Sequence, residues 1–109
     1  MKVGFYNARS QELKTDVESL SKYWSIHSKE MSFTYFEVPP HTQFKKHKHF
    51  SEQITYVISG QLFFEAEGEM FCLQEGACIV IPSNVEHSVW TTVAGCKAVD
   101  AWTPANKKY

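Results

Sequence analysis

At 109 residues the chain has room for one domain and no second. Hydrophobic residues make up 43% and charged residues 21%, which predicts a folded core rather than disorder. Eleven basic residues against twelve acidic ones leave a formal charge of -1, which removes the broad electrostatic case for a nucleic-acid partner. No run approaches the roughly 18 apolar residues of a membrane span. The segment from Met1 to Asn7 has no apolar block or small-residue cleavage site. A soluble, cytoplasmic protein without nucleic-acid or membrane contacts is expected.

In chain order, Ser10 is placed to cap a short helix carrying Leu13, Val17 and Leu20. The same stretch reads equally as running into a strand at Tyr23-Trp24-Ser25-Ile26, and the pattern leaves both open. Met31 to Val38 alternates and is rich in aromatics, which predicts a strand. After Pro39-Pro40, short β-like runs alternate with turn signals. They are Ile54–Ile58 ending at Ser59-Gly60, Leu62–Glu65, Met70–Leu73, Ala77–Ile81, His87–Val93 and Lys97–Trp102. Strands spaced by about ten residues predict an all-β sandwich or barrel. The row Phe63, Phe71, Leu73, Ile79, Ile81 and Val89 is the expected core. Cys72 and Cys78 sit in apolar runs and read as small buried hydrophobes.

His47 and His49 are two apart, so a strand points both imidazoles to one face. Counting back by twos from Gly60 places Val57, Thr55 and Gln53 on a common face of the next strand. His87 opens a later strand. A barrel interior holding three imidazoles and an amide oxygen suits one divalent transition metal, drawn from Ni, Fe, Mn, Co and Zn. The bland alternative is a solvated basic edge formed with Lys45, Lys46 and Lys48.

Fixed offsets carry the pattern further. His47-Lys48-His49, three residues, Gln53, six residues and Gly60 resembles the first motif of the cupin superfamily. Gly76, five residues, Pro82-Ser83-Asn84, two residues and His87 resembles the second. Pro40-His41 replaces the first motif's glycine, Asn84 replaces the second motif's glycine, and Thr91 replaces its final Asn. The resemblance implies a cupin-type double-stranded β-helix, or jelly-roll barrel, over residues 31–104. Residues 1–30 would form a short N-terminal extension packing on it, and residues 105–109 a frayed tail.

The stretches Glu52 to Gly60 and Asp100-Ala101-Trp102-Thr103-Pro104 are similar to those of the small cupins that ketonise unsaturated uronates in pectin and alginate degradation. That resemblance implies His47, His49, Gln53 and His87 as metal ligands, Asp100 as a catalytic residue and Trp102 as a substrate contact. Glu52 is the competing ligand, but it breaks the spacing to Gly60. The family's arginine is replaced by Asn106. Lys45 shares parity with His47, so it is either a substrate-carboxylate anchor at the barrel mouth or a solvent-facing lysine. Parity alone leaves Asp100 inward or outward. His27 and His41 read as surface histidines, and Tyr56 with Trp90 as an outward aromatic set suited to a homodimer. The activity implied is isomerisation or tautomerisation of a small anionic carbonyl or sugar-acid substrate. A metal-dependent dioxygenase and a non-catalytic ligand-binding module are the alternatives.

Overall fold

The computed structural model describes residues 2–109. A 3-10 turn at Ala8–Ser10 precedes nine strands among the described residues. They are β1 (Lys14–Thr15), β2 (Lys22–His27), β3 (Ser32–Val38), β4 (Gln43–His47), β5 (Glu52–Ala66), β6 (Glu69–Gln74), β7 (Cys78–Ile81), β8 (His87–Trp90) and β9 (Cys96–Thr103). Every pairing is antiparallel. One sheet runs β1-β2-β3-β9-β5-β7, and the other runs β4-β8-β5-β6, so the long β5 belongs to both. The result is a jelly-roll barrel closed by β5 as it crosses from one sheet to the other.

The open choice at the N-terminus resolves to strands. Trp24, Tyr35 and Phe33 form an aromatic cluster across β2 and β3, which strand pairing brings together and a helix would separate. Residues 14–27 therefore extend the first sheet rather than pack on it, with β2 paired to β3 from Lys22↔Glu37 to His27↔Ser32.

Ser59-Gly60 does not end a strand as expected; β5 bends through it. The register against β9 shifts between Val57 and Ser59, and the inward parity changes from odd (Gln53, Thr55, Val57) to even (Leu62, Phe64, Ala66). Phe63 consequently leaves the core and stacks on Trp90 outside the second sheet, with ring centroids 5.8 Å apart. Of the expected core row, Leu73, Ile81 and Val89 are buried, while Phe71 and Ile79 pack partly buried at its edge. Phe36, Val38, Val57, Leu62, Phe64, Cys96, Ala98 and Trp102 complete the core, the large aliphatic and Phe side chains each stabilising the fold by about 1.5–3 kcal/mol.

Three other expectations change. Cys72 and Cys78 are exposed, because both fall on the outward parity of their strands. His27 is half-buried, with Nδ1 on the Ser32 hydroxyl at 2.7 Å and Nε2 on a main-chain oxygen of Tyr109 at 3.2 Å. The tail does not fray. Tyr109 packs edge-on to Tyr23 and Phe36 at 5.1 and 5.0 Å, while the Asn106 amide donates to Ser32 Oγ at 2.9 Å.

The residues standing in for motif glycines adopt glycine's conformation. His41 has φ 54° and Asn84 has φ 62°. Thr91 is buried; it accepts from the Thr42 amide and donates to the Pro39 carbonyl, bracing the bend before β4. Gly60 has φ 81°, and a Cβ there would collide with the carbonyl oxygen of Gly95. Gly60→Ala therefore combines left-handed strain with a backbone clash. It should cost at least about 2 kcal/mol and lower Tm by roughly 10 °C, read by thermal circular dichroism.

Candidate metal centre

The two sheets deliver the three histidines from different directions. β4 pairs His47 with His87 of β8, across a register shift after Phe44 that turns both Phe44 and His47 inward. His49 lies just beyond β4, and its carbonyl accepts from the Asn84 amide at 2.8 Å, which joins the two motif segments. The ring centroids of His47 and His87 are 4.4 Å apart, those of His49 and His87 5.0 Å. One ring nitrogen from each lies within 4.8 Å of the others.

The backbone sets which nitrogen is offered. Nδ1 of His47 donates to the Lys45 carbonyl at 2.6 Å, Nδ1 of His49 to the Ser51 carbonyl at 2.7 Å, and Nδ1 of His87 to the Val85 carbonyl at 2.9 Å. A carbonyl only accepts, so each Nδ1 carries its proton, and Nε2 is the nitrogen left to offer a lone pair when the ring is neutral. His87 is 1% exposed, and its Nε2 has no partner among the described residues. Burial, aided by the neighbouring His47 and His49, pushes its pKa down to about 4, although its bond to the Val85 carbonyl opposes this. The ring is therefore neutral and competent to bind metal at pH 7.

Gln53 is buried at 4% exposure, whereas Glu52 is exposed. The Gln53 amide nitrogen donates to Thr55 Oγ1 at 2.8 Å, and lies 3.4 Å from Asp100 Oδ1. Thr55 in turn donates to Asp100 Oδ1. With its nitrogen so committed, Gln53 turns its oxygen towards His49 Nε2 at 2.9 Å. Two acceptors at that distance repel unless the ring is protonated or a cation takes both lone pairs. Bonds of about 2.1 Å place donors on a common ion about 3–3.5 Å apart. The orphaned buried Nε2, the fixed tautomers and the facing acceptors all fit a divalent ion held by nitrogen and neutral oxygen.

The remaining sequence candidates line the same cavity, of about 300 Å³. Asp100 faces inward, paired in register with Thr55 and Thr34. Burial pushes its carboxyl up to about 7, against the lowering effect of the Thr55 and Gln53 hydrogen bonds. Trp102 is buried beside His49 at 5.2 Å and donates from Nε1 to Thr34 Oγ1 at 3.2 Å. Lys45 is exposed at the rim. Asn106 also lines the cavity, but the chain's sole arginine, Arg9, lies in the exposed N-terminal turn.

Among the lining residues that the sequence did not single out as site residues are Thr55 and Tyr109. Thr55 was legible only as a period-two neighbour of Gln53. Tyr109 was not legible, because nothing in Asn106-Lys107-Lys108 signals a return to the barrel.

The cupin domain profile matches residues 34–101. No curated protein matches the sequence. Among solved structures, KdgF from Halomonas sp. superposes with a TM-score of 0.87 at 21% identity, covering 97% of each chain. An RmlC-like cupin from Shewanella frigidimarina gives 0.86 at 20% identity, covering 97% of this chain and 95% of that one. The polyketide cyclase RemF from Streptomyces resistomycificus gives 0.80 at 18%, covering 94% and 80%. At these identities the likeness establishes the fold. No helix among the described residues is long and apolar enough to cross a membrane.

Purified protein should carry a near-stoichiometric divalent metal by emission spectroscopy, and His47→Ala or His87→Ala should lose it with native circular dichroism retained. Full metal content in both variants would remove the cluster as the site.

A second outcome follows from Asp100. Its folded-state pKa lies above the unfolded value of 3.8, so the folded protein holds a proton that the unfolded chain has lost. The contribution of Asp100 to stability therefore falls as pH rises from about 4 to about 7. His87 contributes the opposite slope below its unfolded pKa, so the comparison must be differential. In metal-stripped protein, the stability of Asp100→Asn minus wild type should rise across that window, by up to a few kcal/mol in urea titrations.

Proposed function

The chain belongs to the cupin domain family, and we propose that it is a metal-dependent isomerase or tautomerase of a small anionic carbonyl or sugar-acid substrate, working in the cytoplasm as a homodimer. The observation that carries this reading is the convergence of one ring nitrogen from each of three histidines, with the buried His87 Nε2 unpartnered, in a largely apolar cavity that also holds an inward carboxyl group. In this reading His47, His49, His87 and Gln53 hold one divalent transition metal, one of Ni, Fe, Mn, Co or Zn. When bound, such an ion supplies Lewis-acid polarisation of a substrate oxygen.

The chain's own residues do the rest. Both hydrogen bonds to Asp100 fall on Oδ1, which leaves Oδ2 for the cavity. A carboxyl group fixed in this way can take a proton from one carbon and return it to the next, as a keto–enol shift requires. Trp102, held by Thr34, walls the cavity beside His49 and keeps water from the reacting carbon. Lys45, at the rim, meets the substrate's carboxylate as a point charge.

One observation favours a second reading, a non-catalytic ligand-binding cupin. Asn106 lines the cavity where the uronate-ketonising cupins carry an arginine, so a bidentate carboxylate clamp is missing.

The test is a screen of unsaturated uronates, diketones and catechol-like acids with the metal-reconstituted protein, following oxygen uptake and absorbance. Turnover without oxygen supports the isomerase, oxygen-dependent turnover replaces it with a dioxygenase, and saturable binding without turnover supports the module. On a turned-over substrate, Asp100→Asn should keep its metal and lose about a hundredfold or more in kcat. Full activity in that variant would leave Asp100 a structural residue.

A further inference from the structure

The barrel is open along one side. Its strands pair in the order β1-β2-β3-β9-β5-β8-β4, and no pairing joins the β1–β2 end to β4 among the described residues. Both edges reach the cavity, since Asp16 and Glu18 from the β1–β2 turn and Lys45 from β4 line it. Lys108 and Tyr109, from the segment after β9, line it as well.

Hydrogen bonds tether that segment to the inner face of β2 and β3. The Asn106 amide donates to Ser32 Oγ at 2.9 Å. Ser32 Oγ lies 2.7 Å from His27 Nδ1, and His27 Nε2 lies 3.2 Å from a main-chain oxygen of Tyr109. A main-chain oxygen only accepts, so Nε2 donates, and in the neutral ring Nδ1 then accepts from the Ser32 hydroxyl. Three bonds in series thus hold the backbone at Asn106 and at Tyr109.

What the tethers fix is an aromatic ring in the cavity wall. Tyr109 meets Tyr23 and Phe36 edge-on at 5.1 and 5.0 Å. It stacks at 6.5 Å on Trp102, whose own ring lies 5.2 Å from His49. Tyr109 is therefore one ring removed from the histidine end, on a shared wall. Lys108 Nζ covers it from 5.3 Å.

We propose that Tyr109 determines specificity, its ring being the stop that limits how far a ligand anchored at the histidines can extend. Ser32 and His27 are positioning residues, which act by holding that ring. The proposal rests on the reading of the cavity as a site for a small anion and does not depend on the catalytic assignment. Size supports it. A cavity of about 300 Å³ stands at the lower end of small-molecule sites, so one ring in its wall decides what fits. A stop of this kind rejects by overlap, which discriminates between ligands by length more than by polar groups. The ligand class it admits is a short-chain oxo acid.

Calorimetric titration of the metal-loaded protein with straight-chain 2-oxo acids, from pyruvate upward by one carbon at a time, reads the limit directly. In wild type the affinity should fall by about tenfold or more at the first chain long enough to meet the ring. Tyr109→Ala should move that fall to longer acids and leave metal content and pyruvate affinity unchanged. Tyr109→Phe, which keeps the ring, should keep the wild-type limit. Should Tyr109→Ala fold poorly, Ser32→Ala cuts the tethers with the ring still present, and should raise the affinity of the first excluded acid by roughly tenfold. A wild type that binds all lengths alike overturns the proposal. So does an unshifted limit in folded Tyr109→Ala or in Ser32→Ala, or a limit lost in Tyr109→Phe. Failure of metal-loaded wild type to bind any of these acids would instead overturn the reading of the cavity as a small-anion site, and the stop with it.

Discussion

Three imidazole N–H groups, each donating to a backbone carbonyl two residues away in sequence, set the character of the whole cavity. Those bonds commit Nδ1 and expose Nε2. They also tie each ring to the backbone that carries it, so ring orientation follows strand position. The rest of the barrel then serves to hold three short segments in register: the end of β4, the turn after it and the start of β8. The His49 carbonyl to Asn84 amide bond joins two of these segments. The His47↔His87 pairing joins the third. Ligand nitrogens that meet inside a barrel are thus placed by backbone hydrogen bonds, which are stiffer than side-chain packing alone.

A second chain of bonds does for the amide what the carbonyls do for the rings. Gln53, Thr55 and Asp100 form one connected network in which the carboxyl group is the terminal acceptor. Asp100 thereby has a claim on Gln53's orientation as well as on any substrate. Its Oδ1 serves the network and its Oδ2 the cavity. Losing the carboxylate charge while keeping an acceptor, as Asn does, separates these roles, because the Thr55 hydroxyl still has an oxygen to donate to. The same strands carry the outward apolar rows on their opposite parity. Gln53 and Thr55 alternate with Ile54 and Tyr56, and Asp100 and Trp102 alternate with Val99 and Ala101. The wall behind the candidate metal centre is therefore apolar on its outer side.

How much was legible from sequence follows from which interactions are local. His47-x-His49, the offset to Gln53 and the opening of β8 by His87 are short-range patterns, and all four side chains line the cavity, with His47 exposed and His49 just past the end of β4. Parity alone left Asp100 undecided, because Val99 and Ala101 are as apolar as an inward pair would be. The structure shows why: both faces of β9 are covered or apolar, so the sequence carries little alternation there. The parity change between Val57 and Ser59, just before Gly60, was illegible for a different reason. A bulge shifts every later residue by one, and the glycine that permits it looks the same as one that ends a strand. The return of Tyr109 depends on contacts with Tyr23, Phe36 and Trp102, dozens of residues upstream or across the barrel, and no local pattern encodes them.

The absent arginine is best understood through charge and shape together. Three neutral imidazoles and a neutral amide would leave a bound divalent ion uncompensated, so the strongest attraction for an anionic oxygen lies at the histidine end of the cavity. Lys45, Lys48 and Lys108 line the cavity as well, but Asp16 and Glu18 lie among its lining residues and offset much of that positive charge. A lysine attracts a carboxylate without fixing its plane. With no guanidinium to orient the far end of a ligand, orientation has to come from the walls. Trp102 is pinned by Thr34, and Tyr109 is wedged among Tyr23, Phe36 and Trp102 with a main-chain oxygen on His27. Burial drives the Tyr109 phenol above its usual pKa, and nearby acidic groups, Asp16 foremost, add to the effect, so it stays a neutral hydrogen-bond donor. In the proposed function, a cavity that attracts charge at one end and confines shape at the other would select ligands by fit to its aromatic walls.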